Sequence, residues 1–474
     1  MWRSIALALT VFSSRVASHP DISATCFGTV QIKVPIQYMF IQLSNNGENY
    51  TRSLGPLSYS LKGDGCVFSS EMVDREDGLY ILRFHRMTYC ENFEVSISIN
   101  NTQLCDSPFV VENNVQDDCD CPQSMDKWLQ HAQCDEEEQI KEDLDQYERI
   151  NFTNNLSKSI QNWGREEMSR TYSFCHYQII SNKVYRKCYG EYTDFRIFVD
   201  EALLSILSIS ELPNTEFLFN LGDYPLSRKG FEDDVAIISW CGSTLTNDIV
   251  VPTYFFANYH MAKNFGSHSM HSIGLPRIPW IEKSPKVVFR GRDSNEIRIE
   301  LAEKALHNEL MDVGITTYFF FHETSNPPTK PRMNFNDFFK FRYVLSIDGT
   351  VAAYRLPLLL AGDSIILKSN SPYYEHWYSK LKAFKHFIPF EVENFEEIIE
   401  SLKNLHHEKI LEEMRTFYLN NLQSKNFYCY YIKLMKEYSV KLVDPPKVPS
   451  EKLELLEGSS RGFCKCKQTR RTEL

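Results

Sequence analysis

The feature that most constrains the fold is a long alternation of strand-like apolar segments and helix-like segments between residues 150 and 450. Short apolar runs have the character of buried strands, and helical patterns lie between them at about 294–310, 351–362 and 394–422. Such alternation is typical of an α/β protein with mainly parallel sheets. The length suits two Rossmann-like halves that face each other across a cleft. The predicted strands are 217–221, 236–240, 286–289, 317–321, 343–347 and 364–367.

Residues 24–113 show a different pattern, in which apolar and polar residues alternate between regularly spaced turns. Residues 93–99 read Phe-Glu-Val-Ser-Ile-Ser-Ile, and residues 30–34 read Val-Gln-Ile-Lys-Val. A period of two predicts half-buried antiparallel strands and, over this length, a β-sandwich. Segments 77–84 and 107–111 resemble those of a filamin-type immunoglobulin-like repeat. We expect a binding or spacer module here, followed by a cysteine-containing connector at 114–150.

The two ends of the chain predict where it works. Residues 1–18 contain one basic residue (Arg3), an apolar run and small residues near Ala17-Ser18, which is the layout of a secretory signal peptide. The tail, 451–474, ends in Arg-Thr-Glu-Leu, which resembles the Lys-Asp-Glu-Leu retrieval address or is a chance ending. With the leader, it predicts residence in the lumen of the endoplasmic reticulum and the KDEL receptor as a partner.

Cysteines and glycosylation sequons agree with that compartment. The chain has 13 cysteines, and we expect disulfides rather than metal ligands because the pairs at 119/121 and 464/466 lack the usual zinc-knuckle spacing. The odd count leaves at least one thiol free or paired between chains. Predicted N-glycosylation sites are Asn49, Asn100, Asn151 and Asn155.

Charge and hydropathy limit the partners. The net charge is −11, with no basic face for a nucleic acid. No run after the leader reaches 18 apolar residues, so we predict no membrane span in the mature chain.

Two Gly-containing turns follow predicted strands. In Arg290-Gly291-Arg292-Asp293-Ser294, a predicted helix N-terminus and guanidinium groups favour a phosphate, although Ser294 also suits a plain N-cap. The second turn, at 348–355, reads Asp-Gly-Thr-Val-Ala-Ala-Tyr-Arg, and the alternative there is a tight strand-to-helix turn with a surface Arg355. The pair suggests a diphosphate in a cleft. The candidate phosphate-binding residues of the second turn are Gly349, Thr350, Val351, Ala352 and Arg355.

A carboxylate follows another apolar strand. Asp223, in the segment Asn-Leu-Gly-Asp-Tyr-Pro at 220–225, could accept a proton from an attacking hydroxyl, or it could belong to an ordinary turn. His376 lies in an aromatic stretch that could form the bottom of a sugar pocket or simply pack in the core. The sequence contains no Gly-x-Ser-x-Gly, His-Glu-x-x-His or Walker-type motif.

These segments occur in a recognisable order. Together with 184–187, 238–243 and 371–376, they resemble the KDEL-motif-containing protein O-glucosyltransferases, relatives of the Notch O-glucosyltransferase Rumi and of fungal capsule-associated glycosyltransferases. The filamin-like segment in front and the retrieval signal behind complete that architecture. The resemblance covers nearly the whole mature chain.

The resemblance implies a GT-B glycosyltransferase that needs no metal and no other cofactor. Such an enzyme would move glucose from UDP-glucose to serine hydroxyls of EGF-like repeats with inversion, and Asp223 would be the general base. Arg290, Gly291, Arg292 and Ser294 with the 349–355 turn would bind the diphosphate. Tyr224, Trp240 and His376 would lie in the acceptor or sugar pocket.

Departures from the family pattern leave alternatives open. Tyr224 stands where close relatives often carry Trp, and the region 256–280 matches least well, so the acceptor is uncertain. Related enzymes use UDP-xylose, and a small change in the pocket decides between the two donors. A non-catalytic, client-binding lumenal protein is the alternative from another class.

Overall fold

A computed structural model describes residues 12–13, 22–30, 32–88, 92–111, 122–261, 270–321 and 326–456. The predicted signal peptide, apart from Phe12–Ser13, lies outside the described residues, as do Cys90, Cys119, Cys121, Cys464, Cys466 and the predicted retrieval signal.

The N-terminal region consists of two antiparallel sheets that pack face to face around a shared core. One sheet has the order β1-β2-β3-β7-β6 with β4 paired to β3, and the other has the order β10-β8-β5 with β9 paired to β8. A disulfide joins Cys26 to Cys105. The strands are β1 Phe12–Ser13, β2 Ser23–Gly28, β3 Ile36–Asn45, β4 Glu48–Asn49, β5 Ser58–Lys62, β6 Phe68–Asp74, β7 Leu79–Arg86, β8 Phe93–Ile99, β9 Thr102–Gln103 and β10 Phe109–Val111.

One predicted strand of this region is wrong. Residues 30–34 alternate in sequence, yet Val30 and residues 32–34 belong to the loop between β2 and β3, and Gln31 lies outside the described residues. The chain turns because Ile32 N–H donates to the Thr29 carbonyl at 2.9 Å, while Tyr38 N–H donates to the Thr29 hydroxyl at 2.8 Å. Val30 packs into the N-terminal core and Val34 into the core of the α/β part, so their alternation reflects packing and not a pleat.

The larger N-terminal sheet is buried on both faces. β7 is buried at every position, and β3 at all but its last. The second face carries Tyr38, Phe40 and Ile81, which pack with Leu275 and Leu419 from the C-terminal part of the chain. The N-terminal region therefore packs directly against the remainder of the protein.

Residues 122–261 form a connector and a first α/β layer. Its sheet has the order β16-β14-β13-β11-β12-β23 and is mixed: β11 is antiparallel to β12 and β13, whereas β13, β14 and β16 are parallel. The elements are α1 Met125–Ala132, α2 Glu138–Asp145, α3 Phe152–Asn162, β11 Phe174–Ile180, β12 Lys183–Tyr189, α4 Arg196–Ile209, β13 Thr215–Asn220, β14 Ile238–Ser239, β15 Gly242–Ser243, β16 Ile249–Val250, α5 Tyr254–Met261 and, near the C-terminus, β23 Glu454–Leu455.

The sequence predicts mainly parallel sheets, but this sheet is mixed. A tight hairpin explains the difference. Ser181 and Asn182 connect β11 to β12 with φ values of 49° and 61°. Two successive positive φ angles are those of a type I′ turn, which joins adjacent antiparallel strands. Cys175 and Cys188 face each other across this hairpin and form a disulfide.

The second α/β layer is fully parallel, as predicted, with the order β18-β17-β19-β20-β22. β17 pairs with the next strand, β18, on one side and with β19 on the other. The strand order therefore reverses between β17 and β19, which makes this position a topological switch point. Ligands of open parallel sheets bind outside the carboxyl ends of the strands at such a point. The elements are β17 Ser284–Arg292, α6 Glu296–Lys304, β18 Met311–Thr317, β19 Phe341–Ser346, α7 Leu356–Ala361, β20 Ile365–Ser369, β21 Tyr373–Tyr374, β22 Ile388–Phe390, α8 Phe395–Ser401, α9 His407–Asn421 and α10 Ser424–Lys441.

The two α/β layers are joined by a strand pair and by the last helix. β15 of the first layer pairs with β21 of the second, Gly242 opposite Tyr374 and Ser243 opposite Tyr373. The helix α10 returns to the first layer, where the Tyr430 hydroxyl donates to the Val250 carbonyl at 2.9 Å. The Cys134–Cys429 disulfide fixes α10 to the connector. In the part of the chain that the structure describes, no helix combines the length and the apolar character needed to cross a bilayer.

Candidate active site

Asp223 lies in a short loop just beyond the carboxyl end of β13, where side chains bind the backbone on both sides of it. The Asn220 amide donates to the Tyr224 carbonyl at 2.6 Å, and its oxygen accepts from Gly222 N–H at 2.9 Å. After the loop, the Asp248 carboxylate accepts from Leu226 N–H and Ser227 N–H, each at 2.9 Å. The Asp223 backbone is therefore held at four neighbouring positions, while its carboxylate stays exposed.

A cleft of about 400 Å³ opens beside Asp223. Trp163, Tyr172 and Arg228 line it, and a second cavity of about 260 Å³ shares these three residues. Although Asp223 is exposed to the cleft, the protein atoms around it partly desolvate its carboxyl and raise the pKa above its usual value. An aspartate with a raised pKa is a stronger base once ionised, which suits proton removal from a hydroxyl.

The two predicted phosphate turns meet at the carboxyl ends of β17 and β19. A Cβ built on Gly349 would lie 2.9 Å from the Ser294 hydroxyl, so the second turn approaches the first closely enough to favour glycine there. Val351 and Ala352 pack on Cys241, whose thiol donates to the Asp223 carbonyl at 3.3 Å. These contacts link the Asp223 loop to both turns.

The local structure of both turns differs from the sequence prediction. Gly291 and Arg292 still belong to β17, and the N-cap of α6 is Asn295 rather than Ser294. The second helix begins at Leu356 and not at Gly349-Thr350, because Gly349 N–H donates to the Val351 carbonyl at 3.0 Å and the Asp348 carboxylate accepts from Ala353 N–H at 3.0 Å. These two hydrogen bonds form a turn at the position where the sequence predicts the first turn of the helix.

The arginines of these turns differ in how far their guanidinium groups are already bound by other protein groups. Arg290 donates to the Asp312 carboxylate at 2.8 Å, next to Lys330, which pairs with the same carboxylate. Arg355 is the N-cap residue of α7 and donates one N–H to the Arg290 carbonyl at 2.8 Å. Arg292 is exposed, and no described residue pairs with its guanidinium. Arg292 is thus available to a ligand, and Arg355, half-buried over the Phe289 ring, has further guanidinium N–H groups that could bind one.

Sequence reasoning missed Arg298, which joins the two turns. Its guanidinium donates to the Ser294 hydroxyl at 2.8 Å and to the carbonyls of Arg292, Ile347 and Asp348 at 2.8–3.0 Å. Burial lowers its pKa to about 9. The side chain is therefore structural, and it keeps the carboxyl ends of β17 and β19 together. The partners that join the two turns, Ile347 and Asp348, are distant in sequence, so no local pattern identified this role of Arg298.

Trp240 and His376 do not lie at the mouth of the cleft. Trp240 is 1% exposed, packed between Phe219 and Tyr254, and His376 is 4% exposed, packed between Phe256 and Tyr430. Burial pushes the pKa of His376 well below its usual value, so it is neutral. Tyr224, in contrast, is 52% exposed beside Asp223.

Beneath the turns lies a layer of buried polar groups. Burial, with the Asp348 charge nearby, raises the pKa of Glu375 to about 8, and burial lowers that of Lys368. Buried polar atoms are nearly always hydrogen-bonded. Here the Glu375 carboxylate accepts hydrogen bonds from Thr253, Trp377 and Tyr378. The Tyr354 hydroxyl pairs with the Cys241 thiol, so these buried groups support the turns from within the fold.

Two further groups of predicted residues can be located. Asn49, Asn100 and Asn151 are exposed and Asn155 is half-buried on α3, so all four sequons lie at the surface. No set of three or more His, Cys, Asp or Glu side chains in the described ranges could hold a metal ion. Cys241 is a buried free thiol, in agreement with the odd cysteine count.

Comparison with known proteins identifies the family. The sequence profile of glycosyl transferase family 90 matches residues 129–473. Protein O-glucosyltransferase 3 of Homo sapiens is 34% identical over 471 residues, which cover 94% of this chain and 92% of that protein. Protein O-glucosyltransferase 2 of Danio rerio is 35% identical over 90% of this chain and 87% of its own length. Protein O-glucosyltransferase 1 of Bos taurus is 26% identical over 56% of this chain and 71% of its own length.

The profile match spans the Asp223 loop and both turns, and the first two relatives extend over nearly the whole chain. The chain is a glycosyltransferase and belongs to glycosyl transferase family 90.

Proposed function

We propose that this glycosyltransferase moves glucose from UDP-glucose to serine hydroxyls of EGF-like repeats in the lumen of the endoplasmic reticulum. The observation that carries the proposal is Asp223, a carboxylate of raised pKa that stands exposed in a cleft next to the two turns at the switch point. The names of the relatives, protein O-glucosyltransferases, support glucose as the sugar and a protein as the acceptor.

The proposed reaction is a single displacement. The serine oxygen attacks the anomeric carbon, the bond from that carbon to the diphosphate oxygen breaks, and the serine proton passes to the Asp223 carboxylate. UDP leaves with the bonding electrons, and the glycosidic linkage is inverted. Negative charge grows on the diphosphate, where Arg292 and Arg355 supply positive charge and no metal is needed in this scheme. A fixed donor of this kind typically contributes about 3–4 kcal/mol to the transition state.

The other residues of the predicted site take supporting roles in this proposal. Gly291, Ser294, Gly349, Thr350, Val351 and Ala352 form the surface on which the diphosphate lies. Arg290 holds β17 to β18 through Asp312. Tyr224 meets the acceptor at the cleft mouth, whereas Trp240 and His376 support the pocket from below. An acceptor loop would enter along Trp163, Tyr172 and Arg228.

The architecture proposed for the chain is a GT-B fold with two Rossmann-like halves at 151–450, the first of them built on a mixed sheet. In front of it we propose a filamin-type immunoglobulin-like domain at 24–113 and the connector at 114–150. Two packed antiparallel sheets and a parallel sheet with a switch point support this reading. Disulfides and surface sequons support lumenal residence, with the tail read by the KDEL receptor.

A donor panel tests the proposal. The purified protein is incubated with several folded EGF-like repeats and, separately, with UDP-glucose, UDP-xylose, UDP-galactose and GDP-mannose, and the intact acceptor mass is recorded. We expect one hexose to be added with UDP-glucose. A gain of pentose alone would replace the donor by UDP-xylose, and no gain with any donor and any repeat would contradict the proposal.

A further inference from the structure

Two neighbouring aromatic side chains stand exposed just past the carboxyl end of β18. Phe319 is 64% exposed and Phe320 is 51% exposed, and their rings meet edge to face with centroids 5.0 Å apart. The sequence had predicted a buried strand at 317–321, yet β18 ends at Thr317. Exposure of two adjacent large apolar side chains is costly in water, so their position calls for a cause.

A buried carboxylate holds these two residues in place. Asp293, which is 0% exposed, accepts from Phe319 N–H and Phe320 N–H at 2.8 Å and from Phe321 N–H at 2.7 Å. The three backbone donors outweigh the burial of Asp293 and lower its pKa, so it remains ionised. The same bonds take the backbone out of the β-ladder. They fix the turn while leaving both rings free.

The position of the rings matches the geometry of nucleotide binding in open parallel sheets. There the phosphates lie at the turn after the first strand, and the nucleoside extends toward the end of the next strand, about 20 residues later in the chain. Here Arg292 is the exposed last residue of β17, the first turn follows directly after it, and the next strand is β18. The Thr316 hydroxyl donates to the Gly291 carbonyl at 3.1 Å, so the two strand ends are in contact.

We propose that Phe319 and Phe320, held by Asp293, form the aromatic platform on which the base of the nucleotide-sugar donor stacks. The proposal rests on the proposed function, because it assigns the base end of the same donor. An aromatic face stacks on any nucleobase without reading its edge, and the loss of one such contact typically weakens binding about 5- to 150-fold. Binding of the diphosphate alone does not depend on the platform.

Calorimetric titration of the full chain with UDP and with inorganic pyrophosphate tests this assignment. In the double variant Phe319→Ala/Phe320→Ala, we expect the Kd for UDP to rise about tenfold and the Kd for pyrophosphate to stay the same. Phe319→Tyr/Phe320→Tyr keeps the aromatic faces and should bind UDP within about twofold of the wild type. The matched control is Phe384→Ala, which removes a ring that is 69% exposed and precedes the amino end of β22, at the opposite edge of the sheet.

Each outcome separates this proposal from the one it rests on. Unchanged UDP affinity in the double alanine variant, with a wild type that binds UDP, overturns the platform and leaves the donor assignment intact. Equal weakening for UDP and pyrophosphate also overturns it, since that pattern indicates a general change of the site. A wild type that binds neither ligand at millimolar concentration contradicts the donor itself and, with it, the platform.

Discussion

Asp223 owes its position to side chains that bind the neighbouring backbone and not to contacts of its own carboxylate. Asn220 fixes the peptide groups around Gly222 and Tyr224, and Asp248 fixes those of Leu226 and Ser227. Such an arrangement leaves the carboxylate free for substrate while restricting where it can move. Positioning of this kind is valuable because a displacement of about 1 Å can cost about 100-fold in rate.

The support of Asp223 by Asp248 gives the first prediction. In Asp248→Asn, one carboxylate oxygen becomes an NH2 group that cannot accept a backbone N–H, so the loop after Asp223 loosens. We expect kcat to fall about 10- to 100-fold, while KM for UDP-glucose changes little because Asp248 bonds to Leu226, Ser227 and Ser239 and not to the donor turns. Steady-state kinetics measure both constants. Asp126→Asn, at an exposed surface pair with Lys436, is the control. A rise in donor KM at constant kcat would contradict the positioning role.

The raised pKa of Asp223 gives a prediction for the pH dependence. A general base works only when it is ionised, so kcat/KM should fall as the pH drops through its pKa. Because the protein around Asp223 raises that pKa, we expect the acidic limb above the ordinary aspartate value of about 3.9. A pH–rate profile between pH 4 and 9 measures it. Activity that stays constant down to pH 4 would contradict the assignment of Asp223 as the base.

Residues whose role shows in a short stretch of sequence were easier to predict than residues whose partners lie far away in the chain. Asp223 could be picked out since a polar turn directly after a buried strand is visible in one short window. Arg298 and Asp248 could not, because each acts through carbonyls or N–H groups about 20 to 50 positions away in the chain. Arg290 carried the right signal but pairs with Asp312, a partner that only the parallel register of β17 and β18 brings near.

At the scale of elements, the pair β15–β21 connects the two α/β layers beside the site. Gly242 is required there because a Cβ would lie 2.6 Å from the ring of Tyr374 on the opposite strand. The pair also positions Tyr373, whose ring lies 6.2 Å from that of Tyr224. The contact between the layers therefore depends on a close approach of backbone to ring.

We predict that Gly242→Ala separates this strand pair and lowers both the melting temperature and the transferase rate. The size of the clash suggests a loss of about 1–3 kcal/mol in the free energy of unfolding. Tyr374→Ala in the same chain removes the ring and should restore part of the stability lost through the clash. A double-mutant cycle by chemical denaturation measures the coupling. Strict additivity of the two changes would show that the steric account is wrong.

Elements with a simple period were predicted well, and those shaped by side-chain-to-backbone bonds were not. β8, β13, β19 and β20 lie close to their predicted positions, because apolar runs bounded by turns leave few alternatives. The predicted strand at 317–321 failed because the Asp293 carboxylate takes the N–H groups that a strand would use. The predicted helix at 351–362 starts late for the same reason, since Asp348 captures Ala353 N–H.

At the scale of the whole molecule, the larger N-terminal sheet packs against the α/β part of the enzyme. Arg75 donates to the carbonyls of His271, Ile273 and Ala361 at 2.5–2.7 Å. Ala361 is the last residue of α7, and Arg355 stands at the other end of that helix. Burial lowers the pKa of Arg75 to about 10, which still leaves it charged at neutral pH. The sequence predicted a binding or spacer module here, and its periodicity did not show that one face of the larger sheet packs against the C-terminal part of the chain.

We predict that the N-terminal region and the α/β layers unfold in one cooperative transition that Arg75→Ala moves to lower temperature. The change leaves three buried carbonyls without a donor, and each costs about 1–3 kcal/mol. Differential scanning calorimetry measures the transition, and Arg52→Ala, at an exposed position of the same region, is the control. Two separate transitions, with only the weaker one affected, would contradict the coupling of the two regions through Arg75 and the sheet face around it.

The central claim is that Asp223 acts as the base in the transfer of glucose to a protein. Its most direct measurement is the intact mass of a folded EGF-like repeat after incubation with UDP-glucose and either the wild type, Asp223→Asn or the exposed-site control Asp194→Asn. We expect one added hexose from the wild type and the control, and none from Asp223→Asn, whose amide cannot take the serine proton. A folded Asp223→Asn variant that adds hexose at the wild-type rate would contradict the account.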